Sequence, residues 1–149
     1  MTLANLFDRQ LTLLEELLSL LNREQQQLSL PQPNGTELET IAGLKAGNFQ
    51  SMEHLEQSRR QLQLNLGFDD DASGTEAAAR QAGCLTNWQT LQDLARRVQR
   101  VNQLNGGLIN VRLSANQKIL NFMREVRGVT LYGPDGQSSA RSATISSSA

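Results

Sequence analysis

One cysteine, Cys84, excludes any disulfide within the chain and fits a reducing compartment. One histidine, His54, excludes a histidine pair on a helix for zinc and the paired Glu-x-x-His motifs of a di-iron bundle. Aromatic residues make up only 4% of the chain, and β-branched residues are sparse before its last third. Without strands there is no Gly-rich strand-to-helix loop to cradle a phosphate. A formal net charge of −1 gives no bulk electrostatic case for nucleic acid or an anionic membrane. No apolar run approaches the roughly 18 residues that a membrane span needs. The opening MTLANLFDRQ lacks the basic and apolar regions of a secretory signal. These absences leave a soluble, cytoplasmic, non-enzymatic protein with no metal and no cofactor as the expectation.

What the chain has is Leu, Gln, Glu, Arg and Ala, all strong helix formers, in 149 residues that suit one domain. From Leu3 to about Leu28, Phe7, Leu11, Leu14, Leu18 and Leu21 step by four and three, as in a coiled-coil seam. Leu3, Leu6, Leu13, Leu17 and Leu20 form a second seam beside it, so this helix is expected to touch two neighbours. The run LPQPNG ends it. Thr36 and Glu39 then have the spacing of a capping box for a second helix. That helix keeps its period through Ile41, Leu44, Met52, Leu55, Leu62 and Leu66 and stops at Gly67. Gly43 and Gly47 weaken it by about 1 kcal/mol each and suggest close packing against another helix. His54, among polar neighbours, reads as a solvated surface residue, and Cys84 as a small buried apolar group.

A short helix is expected over Thr75–Ala82, ending at Gly83, and a third long helix from near Thr86, with Thr86 and Gln89 as its capping box. The stretch NQLNGGLIN, residues 102–110, contains an Asn-Gly that ordinarily signals a hairpin turn. Phase argues otherwise. The seam Leu91, Leu94, Val98, Val101 continues without reset through Leu108, Ala115, Ile119, Phe122 and Val126, broken only by Asn105 and Arg112. A turn would lose that count, so one helix is expected from about Thr86 to Arg127, closed by Gly128. The turn-rich LYGPDGQ follows, and then a Ser-rich tail, residues 137–149, too polar to bury itself.

Asp69 to Gly74 matches the first half of a calcium loop, but its twelfth position is Arg80 where a bidentate glutamate is needed, so it reads as an acidic connector. At 1.5 Å per residue the three long helices span about 40, 45 and 63 Å. Side by side, the third would overhang by roughly 20 Å. Aligned near Thr86, the overhang carries Leu113, Ile119, Leu120, Phe122, Met123 and Val126. Such a stripe suits a partner's helix or groove; the short helix, the tail or a second copy of the chain would cover it equally well.

The sequence resembles the FlgN family of flagellar export chaperones. The resemblance rests on Asn102-x-x-Asn105-Gly106-x-Leu108-Ile109 in the third long helix and on Leu131-Tyr132-Gly133-Pro134-Asp135-Gly136 after it. Glu15, Glu16 and Glu24, Lys45 and Arg59, and Trp88 match less specifically. Gly43, Gly47 and the tail after Gln137 depart from the pattern without touching the two distinctive motifs. The resemblance implies an all-α fold and a cytoplasmic chaperone that binds hook–filament junction proteins and hands them to the flagellar export apparatus. It would meet the membrane only indirectly, at the export gate.

The expected architecture is an antiparallel, coiled-coil-like bundle of three long helices with a short connecting helix. It forms a chaperone domain over residues 1–136, and residues 137–149 form a flexible, disordered tail. Client binding is expected at Leu108, Ile109, Leu113, Ile119, Leu120, Phe122, Met123, Val126 and Tyr132, with Asn102, Asn105 and Gly106 as the helix signature. A structural or regulatory coiled coil that self-associates, as a homodimer, through the same stripe is the competing reading. A membrane-surface helix built on Arg96, Arg97 and Arg100 ranks below it. Asn105 either fixes register across a seam with close packing at Gly106 and Gly107, or loosens the helix with them. Tyr132 either contacts the export gate or folds back on the bundle.

Overall fold

The computed structural model describes residues 1–127. Four helices follow one another: α1 (Leu3–Leu28), α2 (Gly35–Asn65), α3 (Ala72–Gln81) and α4 (Leu85–Arg127). The chain divides into two compact units, Met1–Gly106 and Gly107–Ala149. The first holds α1, α2, α3 and the first half of α4. Tyr132, the Leu131–Gly136 motif and the tail lie outside the described residues.

Local signals explain the boundaries. Thr2 caps α1 by accepting from the Asn5 N–H at 3.2 Å. The cap of α2 is Asn34, whose side chain accepts from the Glu37 N–H at 3.1 Å. This corrects the expectation of a Thr36–Glu39 box. Asparagine caps as well as threonine does, and Asn34 comes first in the chain. Asp71 caps α3, which begins three residues before the expected Thr75. α4 starts at Leu85, so Thr86 lies in its first turn and not at its cap. Gly67 and Gly83 end α2 and α3 at positive φ, +89° and +72°. In both, the next N–H returns to a carbonyl of the last turn: Phe68 to Gln63, and Cys84 to Ala79. α4 runs unbroken through Asn105-Gly106-Gly107, as the seam phase required.

Within the first unit α2 runs antiparallel to α1. Gln10 meets Glu56, Asn48 meets the Leu13 carbonyl, and Arg23 meets Glu37. α4 runs parallel to α1, since Phe7 stacks on Trp88 with centroids 5.6 Å apart and Asn105 reaches Leu21. α1 therefore has the two neighbours that its wide face implied. The apolar core joins Leu3, Phe7, Leu14, Leu17 and Leu21 of α1 to Ala78 and Ala79 of α3, and to Cys84, Leu91 and Val98. Cys84 is buried, and desolvation, with Asp8 nearby adding to it, pushes its thiol pKa up, which keeps it protonated and inert.

The buried line of α1 is Leu3, Phe7, Gln10, Leu14, Leu17, Leu21, Glu24 and Leu28. It keeps a strict four–three spacing but draws from both expected seams, and two of its positions are polar. α2 goes further: of its buried residues Ile41, Asn48, Arg59 and Gln63, only the first is apolar. Its expected line through Leu44 and Leu66 is corrected, since both are exposed. Gly43 and Gly47 are exposed as well, and a Cβ on either meets nothing within 4 Å, so they do not mark close packing.

Candidate functional site

Two polar nodes hold the first unit. Glu24 of α1 accepts from Lys45 Nζ of α2 at 3.2 and 3.3 Å and from Asn105 Nδ2 of α4 at 2.9 Å. One buried carboxylate thus ties all three long helices. Asn105 Nδ2 also donates to the Leu21 carbonyl at 2.8 Å. A buried carboxylate is costly unless paired and hydrogen-bonded, and here both an ammonium and an amide serve it. The expectation that Asn105 pairs across a seam therefore holds. The accompanying close packing does not, because a Cβ on Gly106 or Gly107 would meet nothing within 4 Å.

The second node lies at the other end of α2. The buried Arg59 donates to Glu56 Oε1 at 2.5 Å and Oε2 at 3.0 Å, to Thr75 Oγ1 of α3 at 3.1 Å, and to Gln63 Oε1. Gln63 donates to the Asp69 carbonyl, and Gln10 of α1 reaches Glu56 at 3.1 Å. The Arg59 hydrogen bonds hold the Glu56 carboxyl below its ordinary value of 4.5, against partial burial, which raises it. Both nodes tie helices of the first unit together. Among the described residues no group of three His, Cys, Asp or Glu could hold a metal ion. His54 is exposed, and no helix of the described residues is long and apolar enough to cross a membrane.

The second unit is described over residues 107–127, the distal half of α4. Ile109, Leu113, Ile119, Leu120, Phe122, Met123 and Val126 are all exposed there, and Leu108 is half-buried. Phe122 is 65% and Val126 69% exposed. Ile109, Leu113, Leu120 and Met123 fall on one four–three line, with Asn116 filling its gap. Leu108, Ala115, Ile119, Phe122 and Val126 fall on a second, through Arg112. At about 100° per residue the two lines together sweep roughly 200° of the helix. Val111, 68% exposed, extends the second edge. The seam count passes over Val111, although it lies eleven residues before Phe122, three helical turns along the same edge. Of the helix signature, Asn105 is buried, Gly106 half-buried and Asn102 exposed.

The arrangement repeats the two-seam face of α1, whose neighbours are known, on a segment whose apolar side chains stand in solvent. Contiguous exposed apolar area of this kind is more than isolated surface apolar residues provide. Open grooves also lie within the first unit. One of about 630 Å³ between α1 and α2 is lined by Leu13, Leu20 and Leu44 together with Glu16, Gly43 and Gly47.

Comparison of the sequence with known proteins gives its family. The model of the FlgN protein family matches residues 1–140. The flagella synthesis protein FlgN of Salmonella typhimurium is 32% identical over 137 residues, which span 92% of this chain and 90% of that protein. Its counterpart in Escherichia coli K12 is 30% identical over 137 residues, with the same coverage. That of Proteus mirabilis is 30% identical over 130 residues, 87% of this chain and 85% of its own. No solved structure matches the chain.

Proposed function

This chain belongs to the FlgN family, and we propose that it is a cytoplasmic chaperone of flagellar export. Its clients are the hook–filament junction proteins, which it keeps from premature assembly and delivers to the export apparatus. The function is binding without a chemical step. The observation that carries the reading is the exposed two-seam stripe of residues 108–126.

In this reading the client segment is an amphipathic terminal helix, which is aggregation-prone while it has no partner. The stripe offers it a temporary one. Burying each large apolar side chain from full exposure contributes about 1.5–3 kcal/mol. Apart from the half-buried Leu108, these side chains start about two-fifths to two-thirds exposed, so the stripe's gross contribution is about 10 kcal/mol. Association and ordering remove at least about 4 kcal/mol of that, leaving an affinity in the range of tens of micromolar or weaker. A complex of that strength forms in the cell and releases at the export apparatus without ATP. Tyr132 belongs to the same proposed binding region.

The test is capture of purified junction proteins by a chain ending at Arg112. Loss of binding, with Trp88 fluorescence still reporting the α1–α4 stack, is the expected outcome. Capture at full affinity would place the binding face elsewhere. A dimer of the intact chain that buries Ile119 and Phe122 and excludes clients would favour self-association instead.

A further inference from the structure

The distal half of α4 carries a charge pattern that an apolar stripe does not by itself require. Residues 107–127 hold four basic residues against one acid, Glu125. Residues 1–106 hold nine basic residues against thirteen acids. Within residues 107–127 two of the four basic residues, Lys118 and Arg124, stand at the borders, while Arg112 and Arg127 fall within the apolar arc of the helical wheel. On the helical wheel Lys118 lies about 20° outside the Val111 edge, and Arg124 about 20° outside the Leu113 edge. Arg124 donates to the neutral amide of Asn121 at 3.1 Å, which leaves its charge intact. Glu125 lies behind Lys118, on the polar face.

We infer that the segment seated on this stripe is an amphipathic helix whose apolar side is bordered by acidic side chains. This rests on the client-binding reading above and names the chemistry of the client segment. Apolar burial is non-directional, so the stripe alone would accept any amphipathic helix. Charges flanking an apolar seam select the partner and its orientation, and like charges across the seam are rejected. A second copy offering the same stripe would set Lys118 and Arg124 against themselves. An anionic bilayer would welcome the borders but not Arg112, which sits within the apolar arc where a membrane-lying helix is deepest.

The test uses the full chain and two labelled synthetic helices of about 20 residues. Both share one leucine stripe; one is bordered by glutamate and the other by lysine. Anisotropy at low salt is expected to give at least about tenfold tighter binding of the glutamate-bordered helix. The gap closes near about 0.5 M salt, and Lys118→Glu/Arg124→Glu inverts the order. Equal affinities that ignore salt and the charge reversal overturn the inference. Leu113→Ala/Leu120→Ala is expected to weaken both helices alike. If it weakens neither while the charge preference stands, the stripe reading fails and the electrostatic one survives on another face. Co-sedimentation with phosphatidylglycerol vesicles that the charge reversal abolishes, without any preference between the helices, assigns the charge to lipid and overturns the proposal.

Discussion

Asn105 donates to Glu24 across 2.9 Å, and both side chains are buried. A polar residue in the apolar seam of α4 thus meets a polar residue in the seam of α1, and Lys45 closes the node from α2. A polar contact of this kind fixes axial register, because sliding either helix by a turn would bury Glu24 against apolar side chains.

Replacing Asn105 with leucine is expected to lower unfolding stability by about 1–3 kcal/mol, since it removes an amide donor from a buried carboxylate. Urea unfolding followed by Trp88 fluorescence measures it. No loss of stability would mean that Lys45 alone satisfies Glu24.

Alanine at different glycines is expected to act with opposite sign. Gly43→Ala and Gly47→Ala meet open space and should each raise stability by about 0.5–1 kcal/mol through helix propensity. At Gly74 a Cβ would lie 1.9 Å from the Asp69 carbonyl oxygen. Gly74→Ala should therefore force the α2–α3 connection apart and cost about 1–3 kcal/mol. Thermal melts of the three variants distinguish the cases, and a stabilised Gly74→Ala would contradict the close approach.

Acid should weaken the second node. Glu56 has its carboxyl pKa lowered in the folded state, chiefly by its hydrogen bonds with Arg59. The stability it contributes is therefore present above the unfolded value and lost as pH falls through the folded one. Its side chain is 42% exposed, so solvent screening keeps the contribution small. Glu56→Gln should flatten the fall in stability below the ordinary carboxylate value of 4.5. An unchanged acid limb would show that other carboxylates govern it.

The stacked pair Phe7–Trp88 joins α1 to the start of α4. Phe7→Ala is expected to cost about 3–5 kcal/mol and to shift the emission of Trp88, the only tryptophan, to longer wavelength. A small cost with unshifted emission would place that tryptophan outside the core.

Much of the fold was legible from apolar spacing: α1 to the residue, and α4 straight through Asn105-Gly106-Gly107, because an unbroken phase leaves no room for a turn. The polar seam was not. Gln10, Asn48, Arg59 and Gln63 sit at buried seam positions, but a count of apolar residues passes over them, and their partners lie on other helices. Glu24, Lys45 and Arg59 entered only as unspecific family matches, and each is now seen at a node. The exposed stripe was foreseen from helix lengths, except for Val111 at its edge. Gly43 and Gly47 misled because small residues permit close packing without requiring it.

Client binding by the distal half of α4 is tested most directly by calorimetric titration of a purified hook–filament junction protein into Ile119→Ala/Phe122→Ala. Both side chains are more than half exposed, so the intact chain and the variant should unfold at the same denaturant concentration. The expected result is a Kd raised at least about thirtyfold, as for two apolar anchors lost from an interface. An unchanged Kd would contradict it.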